Sequence, residues 1–139
     1  MTLTSPEPAC PPAALTCFLV EDSPVIRQNL IATLEEMLAM QVVGFAEDEG
    51  AALQWLRTPG LRCDLLIIDI FLKTGTGLEV LRQARSLQPG AQLVVLSNYA
   101  TADMRRRCLQ LGADRVFDKS AELEELLAYC AELPGPACH

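Results

Sequence analysis

Two runs of four consecutive apolar residues, Leu65–Ile68 and Leu93–Leu96, constrain the fold of this 139-residue chain more than any other feature. Half-buried strands alternate apolar and polar residues, whereas strands covered on both faces carry apolar residues throughout. Both runs therefore indicate strands in the middle of a parallel sheet, with helices on each side. Because half of all residues are apolar and only 5% are aromatic, we expect a mainly aliphatic core.

Strand-like runs alternate with segments of helical periodicity along the chain. The runs cover residues 16–21, 41–46, 63–69, 91–97 and 115–119. Ser23 and Pro24 predict the start of the first helix, Ser120 is expected to cap the last one, and a short second helix is expected over 49–58. The alternation predicts an α/β fold with a doubly wound five-stranded parallel sheet. Its commonest small form has strand order 2-1-3-4-5 and is a flavodoxin-like three-layer sandwich.

The two ends of the chain lack this alternation. Residues 1–15 hold four prolines and are predicted to be a disordered tail, and residues 134–139 a second, shorter tail. The domain is therefore expected to span 16–133. We interpret it as a stand-alone domain, with a fragment of a larger protein as the alternative.

Composition excludes several classes of function. A formal net charge of −7 argues against direct nucleic-acid binding, because there is no basic surplus to release counterions from phosphates. No apolar run approaches the length of a membrane helix, and the N-terminus lacks the pattern of a secretory signal. The only histidine is His139, which removes histidine-based catalytic and metal sites. The six cysteines form no CxxC pair and are expected to be reduced, which favours a cytoplasmic location.

Polar residues stand where the predicted strands end: Glu21 and Asp22 after the first, Asp69 after the third, Ser97 on the fourth and Lys119 on the fifth. Taken singly, each is compatible with a helix cap, a turn or a solvated surface. In an open parallel sheet, however, the carboxyl ends of the strands meet at one edge, where ligands bind. We therefore expect all five side chains to converge on one site.

Three clustered carboxylates repel one another and favour either a proton or a hard cation such as Mg²⁺, which prefers oxygen ligands. A carboxylate can also accept a phosphoryl group as an aspartyl phosphate, and phosphoryl transfer needs mainly positioning and charge neutralisation. The cluster with its neighbouring lysine and hydroxyl therefore predicts phosphoryl-transfer chemistry.

The sequence resembles the receiver domain of bacterial two-component response regulators, which have a chemotaxis-regulator-like fold. The stretches FLVEDSPVIR, LLIIDIFLKTGTGLEVL, VVLSNYA and GADRVFDKS carry the resemblance, which covers about residues 15–133. The resemblance implies that the chain is a phosphorelay protein that assists its own phosphorylation and dephosphorylation, rather than an enzyme. Its phosphoryl donor would be a sensor histidine kinase or a phosphotransfer protein.

The resemblance also assigns roles to individual residues. Asp69 would accept the phosphoryl group. Asp22, Asp69 and the backbone carbonyl of Phe71 would bind Mg²⁺, and Glu21 would act mainly through bound water. Lys119 would pair with the phosphoryl group, and Ser97 would move toward it after transfer.

That movement would alter the face formed by the last two helices and the last strand. This face would bind an unknown downstream protein or a second copy of the chain, with neither nucleic acid nor membrane as a direct partner.

Three positions depart from the family pattern. Val116 stands where relatives carry an aromatic switch residue, Ser120 replaces a common proline, and Asn98 replaces a smaller residue after Ser97. These departures leave open a pseudo-receiver, a binding module that keeps the fold without phosphoryl turnover. A small phosphatase is disfavoured, because Phe71 stands where such enzymes carry a second acid.

Overall fold

The structure is a computed structural model that describes residues 15–98 and 100–133. Its elements alternate strictly between strand and helix. They are β1 (Thr16–Val20), α1 (Pro24–Met37), β2 (Gln41–Ala46), α2 (Glu49–Arg57), β3 (Leu65–Ile68), α3 (Gly77–Leu87), β4 (Gln92–Ser97), α4 (Ala102–Gln110), β5 (Arg115–Asp118) and α5 (Leu123–Ala131). All neighbouring strands pair in parallel, in the order β2-β1-β3-β4-β5. The predicted doubly wound fold and strand order are confirmed.

The two apolar runs occupy β3 and β4, near the middle of the sheet, and both strands are buried on both faces. Leu66 and Ile68 face a core layer formed with α2, α3 and α4. Leu65 and Ile67 face the opposite layer, formed with α1 and α5. This alternation within one apolar run is what a sheet between two helical layers requires.

Local signals set the start of the first helix as expected. The Ser23 hydroxyl accepts a hydrogen bond from the backbone N–H of Ile26, and Pro24 is the first helical residue. The second helix ends at Arg57, with Thr58 as its C-cap.

The expected cap of the last helix is wrong. Helix α5 begins at Leu123 with Glu122 as its N-cap residue. The hydroxyl and backbone N–H of Ser120 both donate to Oδ1 of Asp118, at 2.6 and 2.8 Å. Ser120 therefore belongs to a turn organised by the Asp118 carboxylate, and the helix starts after that turn.

Cys17, Cys63, Cys108 and Cys130 are buried free thiols, in line with the expectation for these cysteines. Burial raises the pKa of the Cys63 thiol to about 12 and that of Cys130 to about 11, so neither is a reactive thiolate. Cys10, Cys138, most of the predicted N-terminal tail and all of the C-terminal one lie outside the described residues. Within the described ranges, no helix has both the length and the apolar character needed to cross a bilayer.

Candidate functional site

The carboxyl ends of β1 and β3 lie side by side, where the strand order reverses. The backbone N–H of Asp69 donates to the carbonyl of Val20 at 2.9 Å, which aligns the residues that follow the two strands. Carboxylate oxygens of Glu21, Asp22 and Asp69 consequently lie within 4.8 Å of one another. Glu21 and Asp69 are buried. We call these three residues the acid cluster.

Lys119 reaches the acid cluster from the other half of the sheet. Its backbone N–H donates to the carbonyl of Ser97 at 2.9 Å, which fixes its position beside β4. Its ammonium lies 2.6 Å from Oε1 of Glu21 and 3.0 Å from Oδ2 of Asp69. Because the lysine side chain is only 9% exposed, this cation offsets carboxylate charge in a site with little water.

Burial dominates the electrostatics of Asp69. It raises the pKa of that carboxyl from 3.8 to about 6, and the charge of Glu21 acts in the same direction, whereas Lys119 lowers the pKa. For Lys119, burial lowers the pKa, but hydrogen bonds and charge from Glu21 and Asp69 outweigh this and raise it. Lys119 therefore offsets only part of the cost of burying the Asp69 charge.

The loop between β3 and α3 folds back over the cluster. The backbone N–H of Phe71 donates to Oδ1 of Asp69 at 3.2 Å, and that of Lys73 donates to Oδ2 of Asp22 at 2.8 Å. Phe71 also pairs with Thr76 in an isolated antiparallel bridge, which closes the loop. The peptide carbonyl of Phe71 therefore belongs to a loop that is bonded to both aspartates of the cluster.

The donor set fits a hard divalent cation. It consists of carboxylate oxygens, with backbone carbonyls nearby, and it contains neither sulfur nor imidazole. Burial is the main cause of the raised pKa of Asp69, because it disfavours the charged carboxylate, and a cation beside that carboxylate would offset this cost. The predicted Mg²⁺ site is thus compatible with the residues present.

The structure brings Glu21, Asp22, Asp69 and Lys119 into one site, as their positions at strand ends predicted. Ser97 is completely buried at the end of β4 and is tied to Lys119 through the backbone bond. Their individual chemical roles remain predictions.

The three departures from the family pattern lie on β5 or in the segments that follow β4 and β5. Asn98 is exposed after β4, and Ser120 lies in the turn after Lys119. Val116 faces the layer formed by α2, α3 and α4, whereas Phe117 faces the α1 and α5 layer. Phe117 therefore cannot replace an aromatic residue at Val116, because adjacent strand residues point to opposite faces.

Two residues that support the site were missed by the sequence reasoning. The guanidinium of Arg27 donates to the backbone carbonyl of Glu21 at 3.1 Å and lies 4.2 Å above the Phe45 ring. The sequence did contain a signal for the burial of Arg27, because Arg27, Leu30 and Leu34 share one face of α1 at helical spacing. Glu49, the first residue of α2, accepts a hydrogen bond from the backbone N–H of Thr76, and no sequence pattern predicts this contact.

The family model "Response regulator receiver domain" matches residues 17–131, nearly all of the described chain. The chain belongs to this family. Response regulator MprA of Mycobacterium ulcerans is 33% identical over 111 residues, which are 80% of this chain and 46% of that protein. More generally, the chain spans about half the length of the curated relatives it matches.

Solved structures of receiver domains have the same fold. A CheY-like response regulator receiver domain protein from Methanospirillum hungatei JF-1 superposes with a TM-score of 0.76 at 25% identity, over 86% of this chain and 93% of that one. A response regulator from Burkholderia pseudomallei superposes with a TM-score of 0.73 at 25% identity, over 82% and 65% of the two chains. That structure is described as containing a phosphorylated aspartic acid, a calcium ion and citrate.

Proposed function

We propose that this receiver domain accepts a phosphoryl group on Asp69 in a Mg²⁺-dependent reaction. The observation that carries the proposal is the contact between the Asp69 carboxylate and Lys119 inside the acid cluster. The relative from Burkholderia pseudomallei, whose structure contains a phosphorylated aspartic acid and a calcium ion, supports the same combination of acceptor and cation.

Asp69 is the best placed of the three carboxylates. Glu21 has one oxygen on Lys119 and the other on the backbone N–H of Ser23, which favours an indirect role for it through bound water. Asp22 is bonded to the loop at Lys73 and is the most exposed member of the cluster. Asp69 alone joins the cluster, the buried lysine and the backbone of Phe71.

In the proposed reaction an oxygen of Asp69 attacks phosphorus in line with the leaving group. The new O–P bond forms as the P–N bond of a phosphohistidine breaks, and the leaving imidazole keeps the electron pair and takes a proton from solvent. Lys119 neutralises an oxygen of the transferred group, and the Ser97 hydroxyl donates to another after transfer. Asp22, Asp69 and the Phe71 carbonyl would hold Mg²⁺, which would supply further positive charge.

The donor is proposed to be a sensor histidine kinase or a phosphotransfer protein. A cavity of about 290 Å³ lies beside Lys119, between α1 and the start of α5, and is lined by apolar residues such as Ile26, Leu96 and Leu123. A recess beside Lys119 with an apolar lining of this kind suits a protein donor better than a small charged molecule.

Output is proposed to pass through α4, β5 and α5, toward a downstream protein or a second copy of the chain. Polar contacts join these elements where Val116 replaces the usual aromatic residue. The guanidinium of Arg105 donates to the carbonyl of Ala100 at 2.9 Å and to that of Val116 at 3.0 Å, and it pairs with Glu122. The loop after Ser97 is thereby connected to the output face.

The test is the intact mass of the protein after incubation with acetyl phosphate and Mg²⁺. We expect one phosphoryl adduct on the wild-type protein and none on Asp69→Asn. Asp103→Asn is the matched control, because Asp103 is an exposed carboxylate on α4 and its loss should leave the adduct intact. A wild-type protein without an adduct at any Mg²⁺ concentration would overturn the proposal in favour of a pseudo-receiver.

A further inference from the structure

We propose that Glu49, at the start of α2, is a positioning residue that holds the β3–α3 loop in the geometry required for cation binding. The inference rests on the proposed function, because the loop matters through the carbonyl of Phe71. Glu49 itself is not a member of the acid cluster. Its role would be to set the loop, and so to raise the affinity for Mg²⁺ without touching the ion.

Glu49 makes two hydrogen bonds to the loop, one through its backbone and one through its side chain. Its backbone N–H donates to the carbonyl of Thr74 at 3.3 Å, and its Oε1 accepts the backbone N–H of Thr76 at 2.9 Å. The two bonds bracket Gly75. A donor and an acceptor from one residue therefore fix both the position and the direction of this turn.

The side chain of Glu49 occupies the space that a Cβ on residue 75 would fill. The φ of Gly75, +81°, lies in the left-handed region, and a Cβ at this position would come within 2.4 Å of the Glu49 Cβ and 2.7 Å of its Oε1. A side chain here would displace Glu49. The glycine thus provides both the turn and the space that the carboxylate needs.

The restraint on Thr76 extends to Phe71. These residues face each other in the antiparallel bridge, beside which the N–H of Gly77 donates to the carbonyl of Ile70 at 2.9 Å. The Thr76 hydroxyl also accepts the N–H of Leu78 and so caps α3. Moving Thr76 would therefore disturb the strand-like pairing that orients the Phe71 peptide.

Three carboxylates bind backbone N–H groups of this loop: Asp69 at Phe71, Asp22 at Lys73 and Glu49 at Thr76. The two aspartates are also the proposed cation ligands, so each would share its carboxylate between the loop and the ion. Glu49 is not a proposed ligand, so its bond to the loop does not depend on whether the ion is bound. Its own helix does not require it, because Asp48 already caps α2 by accepting the N–H of Ala51 at 2.8 Å.

The experiment compares Glu49→Ala, Glu49→Gln and the wild-type protein, with Glu36→Ala as the matched control on the exposed surface of α1. Mg²⁺ is titrated into each protein and followed by backbone amide NMR. Removing the carboxylate is expected to weaken Mg²⁺ binding by about tenfold, whereas glutamine keeps an accepting oxygen and is expected to bind like the wild type. Glu36→Ala is expected to leave the affinity unchanged.

Hydrogen exchange of the metal-free proteins is the second measurement. The amide of Thr76 should lose protection in Glu49→Ala and keep it in Glu49→Gln, while the amide of Ala51 stays protected in both. Loss of protection at Ala51 in Glu49→Ala would show that α2 itself is damaged. In that case the Glu49→Gln variant decides whether Glu49 positions the loop.

Either of two results would overturn the inference alone: Glu49→Ala binding Mg²⁺ as tightly as the wild type, or Glu49→Gln binding as weakly as Glu49→Ala. The second result would assign the effect to charge rather than to positioning. A wild-type protein that binds no Mg²⁺ would instead overturn the proposed function, and this inference with it.

Discussion

At the residue scale, the groups around Asp69 act on its charge in opposite directions. Burial and the charge of Glu21 disfavour its ionised form, and contact with Lys119 only partly compensates. A cation beside this carboxylate would favour its ionised form and lower its pKa, which is what a cation-dependent acceptor needs. The cost of burying this carboxylate should be visible in the stability of the protein.

The first prediction concerns the pH dependence of that stability. The pKa of Asp69 in the folded protein, about 6, lies above its ordinary value of 3.8, so its stabilising contribution is present at low pH and lost as the pH rises through 6. Asp69→Asn cannot ionise and should be more stable than the wild type at pH 8, by about 1–3 kcal/mol. The gain should be smaller at pH 5. Urea unfolding with a chelator present measures both, and a gain independent of pH would contradict the account.

The second prediction separates Lys119 from the cation ligands. Lys119→Met removes the charge proposed to face the transferred group, and phosphorylation by acetyl phosphate should slow by about a hundredfold. The acid cluster remains, so Mg²⁺ should still bind. Lys73→Met is the control, because the side chain of Lys73 is exposed and only its backbone contacts Asp22. Joint loss of Mg²⁺ binding and phosphorylation in Lys119→Met would show that the lysine holds the site together instead.

At the scale of elements, helix α3 packs its first residue directly against the end of β3. A Cβ on Gly77 would lie 2.1 Å from the backbone carbonyl oxygen of Asp69 and 2.8 Å from the Cα of Ile70. Both neighbours are backbone atoms that cannot rotate away. The close approach brings the β3–α3 loop over the acid cluster, and glycine is the residue that permits it.

The third prediction follows from this contact. Gly77→Ala should lower the free energy of unfolding by about 2–3 kcal/mol, because the new methyl group forces backbone apart. It should also weaken Mg²⁺ binding, since the atoms it displaces belong to Asp69. Gly90→Ala is the control, since no heavy atom lies within 4 Å of a Cβ there. Equal unfolding midpoints in urea for the two variants would contradict the packing described here.

Most helices and strands were predictable from the sequence, but one helix start was not. The apolar runs of β3 and β4 and the Ser23–Pro24 start of α1 were predicted and confirmed, because burial on both faces and helix capping leave local signals. The start of α5 was not, because Ser120 is a good cap in isolation and the competing acceptor, Asp118, belongs to the preceding strand. Local patterns predict helices and strands well. They predict the ends of these elements less well when the hydrogen-bond partner of a residue near the end comes from a neighbouring element.

At the scale of the whole molecule, the order of the strands brings distant positions together. The contact between Asp69 and Lys119 joins residues 50 positions apart, and it follows from parallel strands whose carboxyl ends share one edge. The meeting of Glu21, Asp22, Asp69 and Lys119 was therefore predictable once the sheet was. The bond from Glu49 to Thr76 was not, because it depends on the path of two loops that the sheet does not determine.

The fourth prediction links the site to global stability. A ligand that binds only the folded state raises the free energy of unfolding, by about 2.7 kcal/mol at a concentration one hundred times its Kd. Mg²⁺ should therefore raise the Tm of the wild-type protein, and KCl at equal ionic strength should not. The increase should disappear in Asp22→Asn, which removes a proposed ligand. An equal Mg²⁺ effect in that variant would mean that the ion binds elsewhere.

Chemical trapping identifies the residue that carries the phosphoryl group, which is proposed to be Asp69. Borohydride reduces an aspartyl phosphate to homoserine, and peptide mass spectrometry then locates the converted residue. After treatment with acetyl phosphate and Mg²⁺, we expect homoserine at position 69 and at no other aspartate. Conversion at Asp22, or no conversion in a protein that has gained a phosphoryl group, would contradict this proposal.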